Sequence, residues 1–138
     1  SKTYELLETL SIPAFSYRQN NLPAFWYQDT KLRSTHRVES PEAIAKIYSI
    51  ARSISCCNGL LLCNPIPKKY SLDQMYLEPL ILNGVMELKK ANITGKELTP
   101  SLLKYLVEKT NGKTLLSNIE LIKNNALLGA KVAKALDH

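Results

Sequence analysis

The 138 residues hold 18 Lys and Arg against 12 Asp and Glu, a net charge of +6, with 45% hydrophobic content; this suits one soluble domain with a core of its own. No apolar run approaches the roughly 20 residues that span a membrane, and Ser1 to Glu5 form no apolar signal region, so a cytoplasmic protein without a membrane partner is expected. Only Lys68-Lys69 and Lys89-Lys90 are adjacent among the cations, which gives a solvated basic surface rather than an arm for nucleic acid.

In chain order, the spacing of Leu6, Leu7 and Leu10 predicts a helix over 2–10, and Ile12 to Tyr17 a short strand with Pro13 near its start. Arg18 to Arg33, with Pro23 and the aromatic group Phe25-Trp26-Tyr27, reads as a long loop of the functional kind. Ser40-Pro41-Glu42 opens a helix: hydroxyl cap, proline at the first position, acid at the positive dipole end. That helix is expected to end near Cys57-Asn58-Gly59. Leu60 to Cys63 follows as an apolar strand buried on both faces, stopped by Asn64-Pro65-Ile66-Pro67.

Ser71 to Gln74 fits a capping box for a helix to about Ala91, with Leu77, Ile81, Val85 and Leu88 inward, a kink at Pro79 and a weak point at Gly84. Thr99-Pro100 opens another to about Lys109. A last helix over 115–136 carries Ile119, Ile122, Ala126, Leu127, Ala130 and Ala133. Strand, helix, strand and then several helices indicate an α/β fold with a helical C-terminal layer.

The usual catalytic constellations are missing from this stretch. The five glycines are dispersed, so no phosphate loop is present, and no His stands where it would serve a Ser or Cys nucleophile. Cys56, Cys57 and Cys63 are odd in number, with no second cysteine or histidine pair at zinc spacing. Reduced thiols and no metal bound by this chain alone are expected.

Polar residues in costly places remain. Asn64 ends a strand at the carboxyl edge, where α/β sheets gather ligands; a local backbone cap is its structural alternative. Asn118, Asn124 and Asn125 interrupt the final helix, although asparagine is a poor helix former. Asn118 and Asn125 share a face, which points to a polar pocket or an interface. Arg37 suits a carboxylate or phosphate, with a structural salt bridge the commoner role. Phe25-Trp26-Tyr27 suits base stacking or core packing.

Leu7-Glu8-Thr9-Leu10-Ser11-Ile12-Pro13, Leu22-Pro23-Ala24-Phe25 and Arg37-Val38-Glu39-Ser40 stand in the order of landmarks of a known family. Asn64-Pro65-Ile66-Pro67, Thr94-Gly95-Lys96-Glu97-Leu98-Thr99-Pro100, Ser117-Asn118-Ile119 and Asn124-Asn125-Ala126 continue the series. Together they resemble the C-terminal half of pseudouridine-5′-phosphate glycosidases, the family that includes indigoidine synthase A-like proteins, over all of residues 1–138.

The resemblance implies the C-terminal part of an α/β/α sandwich. It implies an enzyme that reversibly cleaves the C–C glycosidic bond of pseudouridine 5′-phosphate to uracil and ribose 5-phosphate. In that family a lysine forms an imine with the opened sugar, a glutamate moves protons, and Mn²⁺ supports the site in a homotrimer. Those catalytic groups precede the stretch that matches this chain, so no catalytic residue is assigned here, an N-terminal half is the expected partner, and the chain alone is expected to be inactive. Asn118 corresponds to an asparagine lying against the pyrimidine base; Asn64 and Arg37 are further candidates for substrate contact. The alternative is a non-catalytic module for a nucleotide, RNA or another protein.

Overall fold

The computed structural model describes residues 2–55 and 59–137. Helix α1 (Lys2–Thr9) leads into β1 (Ala14–Tyr17), a long loop, β2 (His36–Val38), α2 (Pro41–Ser53) and β3 (Leu61–Cys63). Then follow α3 (Gln74–Lys90), α4 (Leu98–Lys109) and α5 (Lys113–Leu136), with single 3₁₀ turns at Lys68–Tyr70 and Gly95–Glu97. The expected α/β class is what forms. The three strands are parallel in the order β2-β1-β3, with Phe15 opposite both His36 and Leu62. Parallel strands need long connections: the long loop joins the neighbours β1 and β2, and α2 carries the chain from β2 to β3 on the other side of β1.

Two cores hold these layers. Phe15, Val38 and Ile44 join the sheet to α2, with Val132 of α5 packed against them. Trp26, Leu77 and Leu106 join the long loop to α3 and α4, with Ile81, Leu102 and Tyr105 around them. Gly84 of α3 is buried, and a Cβ there would come within 2.7 Å of the Tyr105 ring and 2.8 Å of Leu102. The glycine is the point of close approach between α3 and α4, rather than a weak point in an isolated helix.

Local caps differ from expectation in ways the packing explains. Ser40 does cap α2, its Oγ accepting from the Ala43 N–H at 3.2 Å. Helix α2 ends at Ser53; Cys56, Cys57 and Asn58, where its end was expected, lie outside the described residues. The cap of α3 is Asp73, not Ser71: its Oδ1 accepts from the Met75 N–H at 2.8 Å. Leu72 is held before the helix because its N–H donates to the Trp26 carbonyl at 2.8 Å.

Helix α3 runs through Pro79 as one element. The carbonyl that Pro79 leaves without a helical donor belongs to Met75, in an 85% exposed residue that water reaches. Helix α4 begins at Leu98, ahead of Thr99, because the 3₁₀ turn from Gly95 (φ +59°) feeds straight into it. Strand β3 lies at an edge of the described sheet, so Leu61 is 41% exposed instead of buried on both faces.

Candidate functional site

The long loop, the chain leaving β3 and one side of α5 meet beyond the carboxyl ends of the strands. Within the loop, the Gln19 amide donates to the Asn21 and Gln28 carbonyls, at 2.8 and 3.0 Å. Leu22 N–H donates to the Leu32 carbonyl, and Asn21 bridges to Arg33. The loop is therefore tied to itself, as a functional loop in a fixed shape has to be. From it, Gln28 Nε2 donates to the Ile66 carbonyl at 3.2 Å, and Ile66 is fully buried.

Two asparagines of α5 hold the same segment from the other side. Asn64 Nδ2 donates to Asn125 Oδ1 at 3.1 Å, and Asn124 Nδ2 donates to the Pro65 carbonyl at 3.1 Å. The Pro65 carbonyl lies past the end of β3 and has no strand partner, and the amide supplies one. Asn64 thus reaches across to α5 instead of only capping its own strand.

Asn118 sits two turns earlier on the face it shares with Asn125. Its place is fixed by the corner between α4 and α5, where Gly112 adopts φ +79°. Thr110 Oγ1 is 2.7 Å from the Leu106 carbonyl and 3.1 Å from Thr114 Oγ1, and it accepts from the Thr114 N–H at 3.2 Å. Both threonines are 2% exposed. The side-chain acceptor satisfies one of the amides that a helix start leaves orphaned.

One turn beyond this staple, Asn118 lines a cavity of about 170 Å³ with Trp26, Leu103, Lys104, Val107, Thr114 and Leu115. That is below the ~300–1,000 Å³ of drug-sized pockets and closer to the scale of one small ring. Among the described residues no hydrogen bond ties the Asn118 amide. Trp26, 9% exposed, also has a buried Nε1–H without a partner among them. Uncommitted donors in an apolar recess are what a planar polar ligand needs. Of the aromatic group only Trp26 is buried in the core; Phe25, edge-on to it at 4.8 Å between ring centroids, is 45% exposed.

Arg37 is engaged elsewhere. Its Nε pairs with Glu39, and Nη1 donates to Asn20 Oδ1 at 2.8 Å, which fastens β2 to the loop. Hydrogen bonding from Arg37 holds the Glu39 carboxyl below its usual range. Burial pushes the Cys63 thiol up, away from thiolate reactivity. Burial, and then the Glu78 carboxylate, likewise raise the Tyr27 hydroxyl. Among the described residues no three His, Cys, Asp or Glu side chains converge, so these residues do not form a donor set for a divalent metal.

A wider cavity of about 580 Å³ is lined by Arg18, Ser40, Glu42, Lys131 and Lys134, apart from the asparagines. The helix start beside it is already spent on Ser40 and on the Glu42 carboxylate, which its own backbone N–H holds low.

The indigoidine synthase A like protein family profile matches residues 1–135. The chain belongs to the indigoidine synthase A-like family. Relatives in the family include a pseudouridine-5′-phosphate glycosidase of Staphylococcus aureus (strain MW2), 43% identical over 136 residues, 99% of this chain and 44% of the relative. Another, from Petrotoga mobilis, is 43% identical over 132 residues, 96% of this chain and 43% of its own length.

An indigoidine synthase A-like protein of Thermotoga maritima has a solved structure that superposes with a TM-score of 0.80 at 36% identity, over 98% of this chain and 44% of that one. Prealnumycin C-glycosynthase AlnA, solved with ribulose 5-phosphate, shares the fold with a TM-score of 0.84 at 23% identity, over the same shares of the two chains. The chain spans less than half the length of the family members it matches, and the match is to their C-terminal half.

Sequence reasoning placed Asn64 and Asn118 in this region but missed the Asn124 clamp and the threonine staple. Thr110, Thr114 and Ser117 recur at spacings of four and three residues, and that polar stripe was the available signal.

Proposed function

We propose that this chain forms the base-binding side of the active site of a pseudouridine-5′-phosphate glycosidase, which reversibly converts pseudouridine 5′-phosphate and water to uracil and ribose 5-phosphate. The observation that carries the reading is Asn118: an amide without a protein hydrogen bond among the described residues, in a ring-sized recess beside Trp26. The names of the relatives at 43% identity support the same substrate.

An amide can donate through Nδ2 to a uracil carbonyl and accept through Oδ1 from a ring N–H. As the C–C bond breaks, charge builds on the base, and a donor already aimed at its carbonyl stabilises that charge before a proton reaches the carbon. On this reading the asparagine clamp on Asn64 and Pro65 keeps the wall of the site rigid, and Arg37 fixes the loop. Contact of Asn64 or Arg37 with the substrate itself is the lesser part of the proposal.

The lysine that forms the sugar imine and the glutamate that moves protons come, in this proposal, from the N-terminal half of the enzyme, without which the chain is inactive. Any Mn²⁺ ligands would come from there too, because the described residues of this chain offer no donor set. Assembly as a homotrimer belongs to the same proposal and is supported by apolar side chains left exposed on α5, among them Ile122 at 60% and Leu127 at 55%. The rival reading, a base-stacking nucleic-acid module, is disfavoured by the burial of Trp26.

The test is an assay of uracil release from pseudouridine 5′-phosphate. The expected result is none from residues 1–138 alone and restoration on adding the N-terminal half of a relative. Release by the 138 residues alone would put the nucleophile in this chain; none from the combined halves, shown to associate, would remove the reading.

A further inference from the structure

On the other side of the first turns of α5 lies a second recess of about 180 Å³, lined by Lys69, Tyr70, Ser71, Leu72, Lys113, Leu116 and Ser117. We infer that this recess is a pocket for a small oxyanion of the phosphate class, separate from the base-side cavity at Asn118. Three observations carry the inference. First, Ser117 is 1% exposed, and its Oγ has no hydrogen-bond partner among the described residues. Buried hydroxyls are nearly always satisfied, so one that lines a cavity indicates a ligand or ordered water there.

Second, two lysines from different elements converge on it, Lys69 from the 3₁₀ turn and Lys113 from the start of α5, and no carboxylate lines the recess. Of the carboxylates in neighbouring turns, Glu120 is paired with Lys123, and Asp73 caps the Met75 N–H. Third, the donors left are hydroxyls and ammonium groups: Ser71, Ser117, Tyr70 and the two lysines. That set complements an acceptor-only ligand and suits neither a cation nor an apolar group. At about 30 Å³ per water, the recess holds a tetrahedral anion with some of its hydration.

The proposal does not depend on the glycosidase reading, since its readout is anion binding rather than uracil release. The chain, as purified alone or with the N-terminal half, is titrated with inorganic phosphate at constant ionic strength held by chloride, following amide ¹H–¹⁵N shifts. The expected result is saturable shifts centred on Ser71, Lys113 and Ser117, weakened about tenfold or more in Lys69→Gln/Lys113→Gln. Ser117→Ala removes only a buried hydroxyl and so serves as the folded control: it weakens phosphate binding while leaving the remaining spectrum in place. A parallel titration with ribose 5-phosphate distinguishes a free anion from a phosphate ester, and binding of either at these residues upholds the pocket. Shifts spread over the surface lysines at large, or unchanged by either variant, would overturn it.

Discussion

The two faces of α5 are made of the opposite materials from those a hydrophobic pattern leads one to expect. The buried face carries Thr114, Ser117, Leu121 and Leu128, while Ile119, Ile122 and Leu127 stand exposed on the other. Polarity can go inside because most of it is answered locally. Thr110 and Thr114 satisfy each other and two backbone groups, and Asn124 and Asn125 answer the segment after β3. The apolar face has nothing comparable among the described residues. On the proposed reading, this exposed stripe is where another chain would pack. The difference teaches that α5 is not organised around one apolar core: most of its buried polar groups have partners within the chain, while much of its apolar surface does not.

The comparison can be broken most strongly from the buried side. Leu128→Ala, at a residue 6% exposed, is expected to cost about 2–5 kcal/mol in urea unfolding, the usual range for a leucine truncated in a core. Asn124→Ala should cost less, about 0.5–1.5 kcal/mol for the hydrogen bond to the Pro65 carbonyl, with the local loss seen as faster amide exchange in residues 64–67. The double variant Ile122→Ser/Leu127→Ser sharpens the contrast. It should change the unfolding free energy of the chain itself by only about 0.5 kcal/mol per site, yet abolish association with the N-terminal half or with further copies in sedimentation. Equal losses of stability on the two faces would erase the distinction.

Much of this was legible in the sequence where the physics is local. Ser40-Pro41-Glu42 set the start of α2, the apolar spacing of Leu77, Ile81, Val85 and Leu88 set the inward face of α3, and Asn64-Pro65 ended β3. What escaped was decided by contacts distant in sequence. The cap of α3 moved to Asp73 because Leu72 is bonded to Trp26, and Gly84 became a contact point because Tyr105 lies over it. The exposed side of β3 follows from its place at the edge of the described sheet, which no residue of the strand encodes. At the candidate site, odd asparagines in a helix drew attention to the region, but the partners of Asn124 and Asn125 could be read only once β3 and α5 were together. Local residue choice gave candidates; the assignments among them needed topology.

The most direct test of the account is kinetic and concerns Asn118. In the enzyme completed by its N-terminal half, Asn118→Ala should lower the rate of uracil release on the order of 10²-fold, the effect of losing one donor aimed at developing charge. The melting temperature of the chain should stay close to that of the parent, since the Asn118 amide holds no hydrogen bond to the described residues. A variant that is equally stable and equally active would contradict the claim that this recess receives the base.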